Sequence, residues 1–144
     1  MAEHPTKYCN TDLDLKSESS LELLAEELEP DCDVLHCAAG DDGNWHMLVE
    51  SSHGEITANR SAELDIPAIL DVIAKCSPNA KLQFDACFLR EFNIGFGCWD
   101  SWGYNHKLSH DVIRSIADAG CTLAVTLYPM RNPDGSPKEN AGGG

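Results

Sequence analysis

The sequence predicts a single-domain α+β sandwich, in which three helices pack on one face of a mixed, largely antiparallel sheet of four to six strands. Segments with strand-like alternation of apolar and polar residues are separated by three segments with apolar residues at helical spacing. The turn residues at 41–44, DDGN, lie between two alternating segments and predict a hairpin, so the sheet must be at least partly antiparallel.

One domain accounts for the length of the chain. Its 144 residues, 42% of them hydrophobic, are enough for one hydrophobic core, and no internal repeat or linker divides them. We therefore expect a single domain over residues 1–130. Residues 131–144, RNPDGSPKENAGGG, combine Pro, Gly and polar residues and are predicted to form a disordered tail.

The first half of the chain predicts a strand, a helix and a hairpin. Residues 8–15 alternate as a strand, and Ser19 with Glu22 predicts a capping box for the helix that follows. The expected buried stripe of this helix is Leu21, Leu24, Ala25 and Leu28. Residues 34–39 and 45–51 are the two hairpin strands, and the second alternates cleanly between apolar and polar side chains.

The middle of the chain predicts a polar loop, a second helix and further strand. We expect an irregular loop over 52–64, after which Asp65 caps a helix that Pro78 ends. The apolar face of this helix is predicted to be Ile66, Ile69, Leu70 and Ile73. Residues 82–89 and 92–96 alternate again and predict one bent strand or two.

The third helix and a closing strand complete the fold. Ser109 is the predicted cap of the helix and Gly120 its end. Its core residues are predicted to be Val112, Ile113, Ile116 and Ala117. Residues 121–128 form the closing strand, with Leu123, Val125 and Leu127 on one side.

The ending KLSHDVIRSIADAGCTLAVTLYP resembles the close of a family of small bacterial domains of unknown function. Members of that family end in a Leu-Ser cap, a helix with Leu or Ile at core spacing, an Ala-Gly stop and a final strand ending in Tyr. The segments GNWHMLVESS and LREFNIGFGC are similar to that family too, so the likeness covers most of residues 8–129. The resemblance implies a fold and a bacterial source, and it transfers no catalytic residue.

The charge of the chain is unevenly distributed. The net charge is −14, of which residues 11–59 carry −12 and residues 60–144 carry −2. Phosphate would be repelled, so we expect no nucleic-acid partner, whereas a cationic protein surface or a divalent cation fits the sign. The alternative to a cationic partner is that the acidic residues only keep the protein soluble. Asp12 and Asp14, at one strand end, are expected to be ordinary solvated acids.

Two features of the sequence predict the cellular compartment of the protein. No apolar run is long enough to span a bilayer, and the first ten residues do not have the apolar stretch of a signal peptide. The seven cysteines are an odd number without a CxxC pair, which is typical of reduced, mostly buried thiols. We therefore expect a cytoplasmic protein with no membrane partner.

The most distinctive segment is the aromatic loop, residues 99–106. Trp99, Trp102 and Tyr104 are its rings, with Asp100, Asn105 and His106 among the polar side chains interleaved between them. Rings flanked by carboxylate and amide groups suit an interface hot spot or the recognition of a sugar. The alternative is that one or both Trp side chains fold back over the sheet edge as a lid on the core.

Other candidates for chemistry are weaker. Arg90 lies between two apolar strand segments, where it could form an ordinary ion pair or place its guanidinium in a cleft beside Asp85 or Asp100. The metal-ligand candidates Cys98, His106 and His110 are not supported by an HExxH or CxxC motif. We therefore assign no catalytic residue, no metal and no cofactor.

These observations favour a non-enzymatic protein-binding domain of the inhibitor or immunity type, with a basic protein as partner. Complementary charge would speed encounter and the aromatic anchors would slow release. One alternative is a small-ligand or carbohydrate-binding domain that uses the loop from Trp99 to Tyr104. The other is a metal-dependent enzyme. The sequence leaves the oligomeric state open.

Overall fold

The fold is α+β, as the sequence predicts. The computed structural model describes residues 5–51, 60–99 and 103–138. In this part of the chain the strands are β1 (Lys7–Ser17), β2 (Cys32–Ala39), β3 (Trp45–Ser51), β4 (Leu89–Cys98) and β5 (Thr122–Pro129). The helices are α1 (Glu22–Leu28), α2 (Ala62–Ala74), α3 (Pro78–Asp85) and α4 (His110–Asp118).

The sheet has the spatial order β2-β3-β1-β4-β5. The pairs β2–β3, β3–β1 and β1–β4 are antiparallel, and β4–β5 is parallel. The β2–β3 hairpin turns at residues 40–44, where Gly43 has a φ of +81°. Helix α4 makes the crossover that a parallel β4–β5 pair requires. Strands β2 and β5 are therefore the two edges of the sheet.

One face of the sheet carries the hydrophobic core. Alternate residues of β1, β3 and β4 lie on this face and are buried, and they pack with the buried side chains of the helices in one cluster. The buried sheet residues of this cluster include Leu13, Leu15, Met47, Val49, Phe92, Ile94 and Phe96. The residues between them in sequence form the opposite face, which we call the open face.

Two helix starts differ from the sequence prediction. The amide of Glu22 donates to Ser20 Oγ over 3.2 Å, so the predicted Ser19–Glu22 capping box is wrong. Helix α2 begins at Ala62 and has Asp65 in its first turn, so Asp65 is not its cap. The buried Asp65 is instead held by side chains of the sheet. Residues 52–59 of the predicted loop lie outside the described residues.

The structure has a helix, α3, where part of a strand is predicted over 82–89. Ser77 caps α3, because its hydroxyl accepts from the amide of Ala80, and Pro78 occupies the first turn. Proline needs no hydrogen-bond partner for its nitrogen there, so it starts this helix. Ala80 and Phe84, four residues apart, are buried. The strand prediction for 82–89 is wrong over most of that range, and the described part of the chain has four helices, not three.

Helix α4 has the predicted boundaries but not the predicted core face. Ser109 Oγ accepts from the amide of Val112, and Gly120 follows the helix with a φ of +69°. Both predictions are confirmed. Ile113 and Ala117, however, are exposed, so their assignment to the core is wrong for the single chain.

The end of the described chain makes local structure. Residues 131–138 contain a turn and an isolated bridge between Arg131 and Pro137. Residues 139–144 lie outside the described residues, and the disordered tail stays a prediction. None of the helices in the described part of the chain has the length and apolar character needed to cross a bilayer.

Candidate functional site

The described part of the aromatic loop packs over the carboxyl end of β4. His106 stacks on the Tyr8 ring, with centroids 5.4 Å apart and the planes nearly parallel. The Phe96 ring meets both His106 and Tyr104 edge-on, with centroids at 4.9 Å and 5.3 Å. Tyr104 and Asn105 are exposed, whereas His106 is half-buried. The predicted loop residues Tyr104 and His106 are thus brought together.

Of the two loop tryptophans, the structure describes Trp99. The half-buried Trp99 lies beside Arg131, whose guanidinium carbon is 5.4 Å from the centroid of the indole. Asp100 and Trp102 lie outside the described residues. The hypothesis that the two indoles are anchors for a partner therefore stays a prediction.

A cavity of about 330 Å³ lies between this loop and the last two strands. Its lining includes Phe96, Cys98, Tyr104, His106, Val125 and Leu127. His106 Nδ1 is 3.2 Å from the hydroxyl of Tyr104, while its Nε2 is buried without a hydrogen-bond partner in the described part of the chain. Burial lowers the pKa of His106, against an opposing effect of Glu63, so its ring is mostly neutral at pH 7.

Behind this loop, a buried polar network surrounds Asp65, which is fully buried. Ser51 Oγ donates to one carboxylate oxygen over 2.9 Å, and the hydroxyl of Tyr8 donates to the other. The Tyr8 hydroxyl is also 2.6 Å from Thr11 Oγ1, and an Arg60 nitrogen is 3.9 Å from Asp65. Burial and the bond to Asp65 raise the pKa of Tyr8, so its phenol stays protonated.

Arg90 lies at the other end of β4 from the loop. Its guanidinium donates to the carbonyl oxygens of Asp85, Cys87 and Gly120, at 2.9, 3.1 and 3.2 Å. These carbonyls lie at or just after the ends of α3 and α4. Arg90 thus ties two helix ends to the sheet, and it lies away from Tyr104 and His106, the predicted site residues that the structure brings together.

The three metal-ligand candidates do not converge. His110 is exposed on the first turn of α4, where its Nε2 is 3.3 Å from Asp111 Oδ1. Cys98 and His106 line the cavity. Over residues 5–51, 60–99 and 103–138, no group of three or more His, Cys, Asp and Glu side chains is placed to hold a metal ion.

The second site is one that the sequence analysis missed, a row of carboxylates on the open face. We call Asp12, Asp14, Glu50 and Glu91 the acidic face. Asp12 is the register partner of Glu50 on β3, and Asp14 is the register partner of Glu91 on β4. Side chains at such positions lie about 5 Å apart, so like charges repel one another directly.

Their hydrogen bonds and pKa values reflect this crowding. Asn10 Nδ2 donates to Glu50 over 2.7 Å and to Asp12 over 3.2 Å. Burial, followed by a hydrogen bond with Glu50 and repulsion from Glu50 and Asp14, raises the pKa of Asp12 to about 7. Burial also raises the pKa of Asp14, and Glu91 adds to this while Lys16 opposes it.

The alternation of β1 was the most direct signal in the sequence for this surface. It places Asp12 and Asp14 on one side of the strand, but it cannot say that Glu50 and Glu91 lie beside them. That information is in the pairing of β1 with β3 and β4, which joins residues distant in sequence.

Comparison with known proteins found no relative of this chain. No protein-family model matches the chain, and no match was found among the curated proteins or among the solved structures. The predicted resemblance to a family of small bacterial domains therefore stays a prediction.

Proposed function

We propose that this protein is a non-enzymatic protein-binding domain of the inhibitor or immunity type, and that it binds a basic protein through its acidic face. The observation that carries the proposal is the juxtaposition of four carboxylates on the open face. They lie on three adjacent strands, at register positions where like charges destabilise the sheet. A basic partner would relieve this repulsion on binding.

The electrostatics of the surface support a protein partner. The open face is not part of the hydrophobic core, and the acidic side chains on it are partly exposed. Asp33, on β2, is the register partner of Glu50 and continues the row toward the sheet edge. A field of one sign over a broad, flat surface speeds the encounter with a cationic protein. Lysine and arginine side chains that reach the face would then form ion pairs with several strands at once.

The aromatic loop is a separate contact surface, because its described rings pack against Tyr8 and Phe96, on the core side of the sheet and not on the open face. Tyr104 and Asn105 are exposed, and Trp99 directly follows the end of β4. Rings of this size bury much area on binding at a small entropic cost, so they would lengthen the lifetime of the complex. The seven free cysteines agree with a reducing compartment, which supports the expected cytoplasmic location.

The test compares two variants of equal net charge. In the first, Asp12→Asn, Glu50→Gln and Glu91→Gln neutralise three of the four side chains of the acidic face. In the second, Glu22→Gln, Glu26→Gln and Glu29→Gln neutralise exposed side chains of α1 and its end. The probe is an octalysine peptide, and isothermal titration calorimetry at moderate salt measures its Kd.

We expect the first variant to bind at least about tenfold more weakly than the unmodified protein, because it loses the ion pairs, and the second about threefold or less. Unfolding is not a concern for the first variant, because neutralising repelling carboxylates stabilises the sheet. Equal weakening by both variants would show that the acidity acts only through net charge, and the proposal would fail.

The small-ligand or carbohydrate alternative has one observation in its favour. The cavity between the loop and β5 has apolar walls and is lined by His106, whose buried Nε2 has no hydrogen-bond partner among the described residues. Saturable quenching of tryptophan fluorescence by a sugar, with no binding of the lysine peptide, is the result that would favour it.

A further inference from the structure

The two edge strands of the sheet are built differently. Strand β2 contains Asp33 and His36, and its pairing with β3 is interrupted by an irregularity at Leu35. Charges and bulges of this kind prevent an edge from pairing with another strand. Strand β5 has neither device. Its sequence, TLAVTLYP, is uncharged, and its pairing with β4 is regular along the whole strand.

Strand β5 also exposes apolar side chains on the core face of the sheet. Leu123, Val125 and Leu127 are the register partners of the buried Phe92, Ile94 and Phe96, so they share that face. They are nevertheless 43%, 56% and 63% exposed. The core face thus continues past β4 to β5, where no helix of the described residues covers these side chains.

Helix α4 extends this uncovered surface. Ser115 and Asp118 lie on the side of α4 that lines a cavity with α2 and α3. At 100° per residue, Ile113 and Ala117 fall on the opposite side, toward the β5 edge. Ile113 is 53% exposed. Ile113 lies three residues before the buried Ile116, a spacing at which side chains are neighbours on a helix surface, so the apolar surface of α4 extends to this side.

We propose that β5 pairs with β5 of a second copy of this chain, antiparallel about a twofold axis at Val125, to form a continuous ten-stranded sheet. In this register Val125 lies opposite Val125 of the second copy, and Leu123 lies opposite Leu127 of the second copy. Paired residues share a face, so the exposed apolar side chains of both copies meet on the core face.

The charge distribution identifies a second copy as the occupant. A chain of net charge −14 should resist self-association, but residues 119–130 contain no charged side chain. Residues 11–59, which carry most of the negative charge, include most of β1 and all of β2 and β3. These are the central strand and the two strands farthest from β5. Pairing through β5 therefore places the acidic parts of the two copies at opposite ends of the dimer and leaves both acidic faces free.

The test is the oligomeric state of the full chain and two matched variants. Val125→Lys places a charge on β5, and Leu35→Lys places one on β2 at a side chain of nearly the same exposure, 54%. Sedimentation equilibrium over a hundredfold concentration range gives the mass of each. We expect twice the 15.7 kDa of the chain for the unmodified protein and for Leu35→Lys, and a single chain mass for Val125→Lys.

Hydrogen exchange provides a measurement that needs no variant. We expect the β5 amides of the unmodified protein to exchange at least tenfold more slowly when the protein is concentrated, while the β2 amides do not change. A single chain mass at every concentration, equal dissociation by the two variants, or β5 exchange that does not depend on concentration would each overturn the proposal. A monomer would leave β5 as an edge for a strand of another protein.

Discussion

Carboxylates lie on both sides of the sheet, Asp65 of α2 against the core face and the acidic face on the other, and the protein holds them in opposite ways. On the core face, Asp65 accepts hydrogen bonds from Tyr8 and Ser51 and lies near Arg60. On the open face, Asp12 is opposite Glu50, and Asn10 is a donor that both of them share. The first carboxylate is surrounded by donors, whereas the second is surrounded by other acids.

The difference separates a structural role from a binding role. A buried carboxylate with its donors in place fixes the position of α2 on the sheet, and its loss removes the charged acceptor of those donors. A carboxylate among carboxylates costs stability in the free protein. A bound cation would remove this repulsion. We therefore assign binding to the open face and not to the buried network.

The largest effect should come from the buried carboxylate. Asp65→Ala leaves the hydroxyls of Tyr8 and Ser51 without their acceptor and removes the negative charge beside Arg60. We expect the free energy of unfolding to fall by about 3 kcal/mol. Urea denaturation followed by circular dichroism measures it. Asp71→Ala, an exposed position on the same helix, is the control and should change stability by about 0.5 kcal/mol or less. A similar loss in both variants would contradict the comparison.

A smaller effect is expected from one donor of the network. Tyr8→Phe keeps the ring that stacks on His106 but removes the hydroxyl between Asp65 and Thr11. The free energy of unfolding should fall by about 1.5 kcal/mol, because Asp65 keeps Ser51 as a donor. The same denaturation experiment applies. Tyr128→Phe, at an exposed position on β5, should be nearly neutral, and an equal loss there would disprove the network's contribution.

The smallest change in stability is expected from Asp12→Asn, and it is a gain and not a loss. Because the folded protein raises the pKa of Asp12 to about 7, it binds this proton more tightly than the unfolded chain does. Stability is therefore lost as pH rises from about 4 to about 7. Asp12→Asn removes this cost, and we expect a gain of about 1 kcal/mol at pH 8, reduced by solvent screening of this half-exposed group, and almost none at pH 4.

A second aspartate gives the control for this pH dependence. The amide of Asn44 and the His46 side chain lower the pKa of Asp42, in the hairpin turn. Its contribution to stability is therefore present at neutral pH and lost as pH falls, so Asp42→Asn should destabilise at pH 8. Denaturation at both pH values measures each sign. Destabilisation by Asp12→Asn at pH 8 would contradict the interpretation of the acidic face.

Local patterns in the sequence predicted much of the fold. The alternation of β3 puts Met47 and Val49 on one side, and both are buried in the core, because a strand has a period of two residues. The Ser109 cap and the Gly120 end of α4 were also predictable, since each depends on a few neighbouring residues. Helix α3 was not, because Ala80 and Phe84 are compatible with both the spacing of a helix and the alternation of a strand.

The candidate site was predicted only in part. Tyr104 and His106 were identified from their place in an aromatic loop, and the structure brings them to one cavity. Asp65 was interpreted as a helix cap, because its sequence neighbours do not show that Tyr8 and Ser51 reach it from two strands. Arg90 was assigned to the site, but its partners are carbonyls at helix ends that meet only in the folded chain.

The sequence by itself determined the fold class, the inward and outward sides of most strands, and the excess of acidic residues in one half of the chain. These properties depend on composition and on residues a few positions apart, where covalent geometry fixes the relation between side chains. Only the tertiary structure decided which acids face each other, which aspartate is buried among donors, and which edge of the sheet is left apolar. Each of these depends on strand order and register, which bring together residues such as Asp12 and Glu50 from distant parts of the chain.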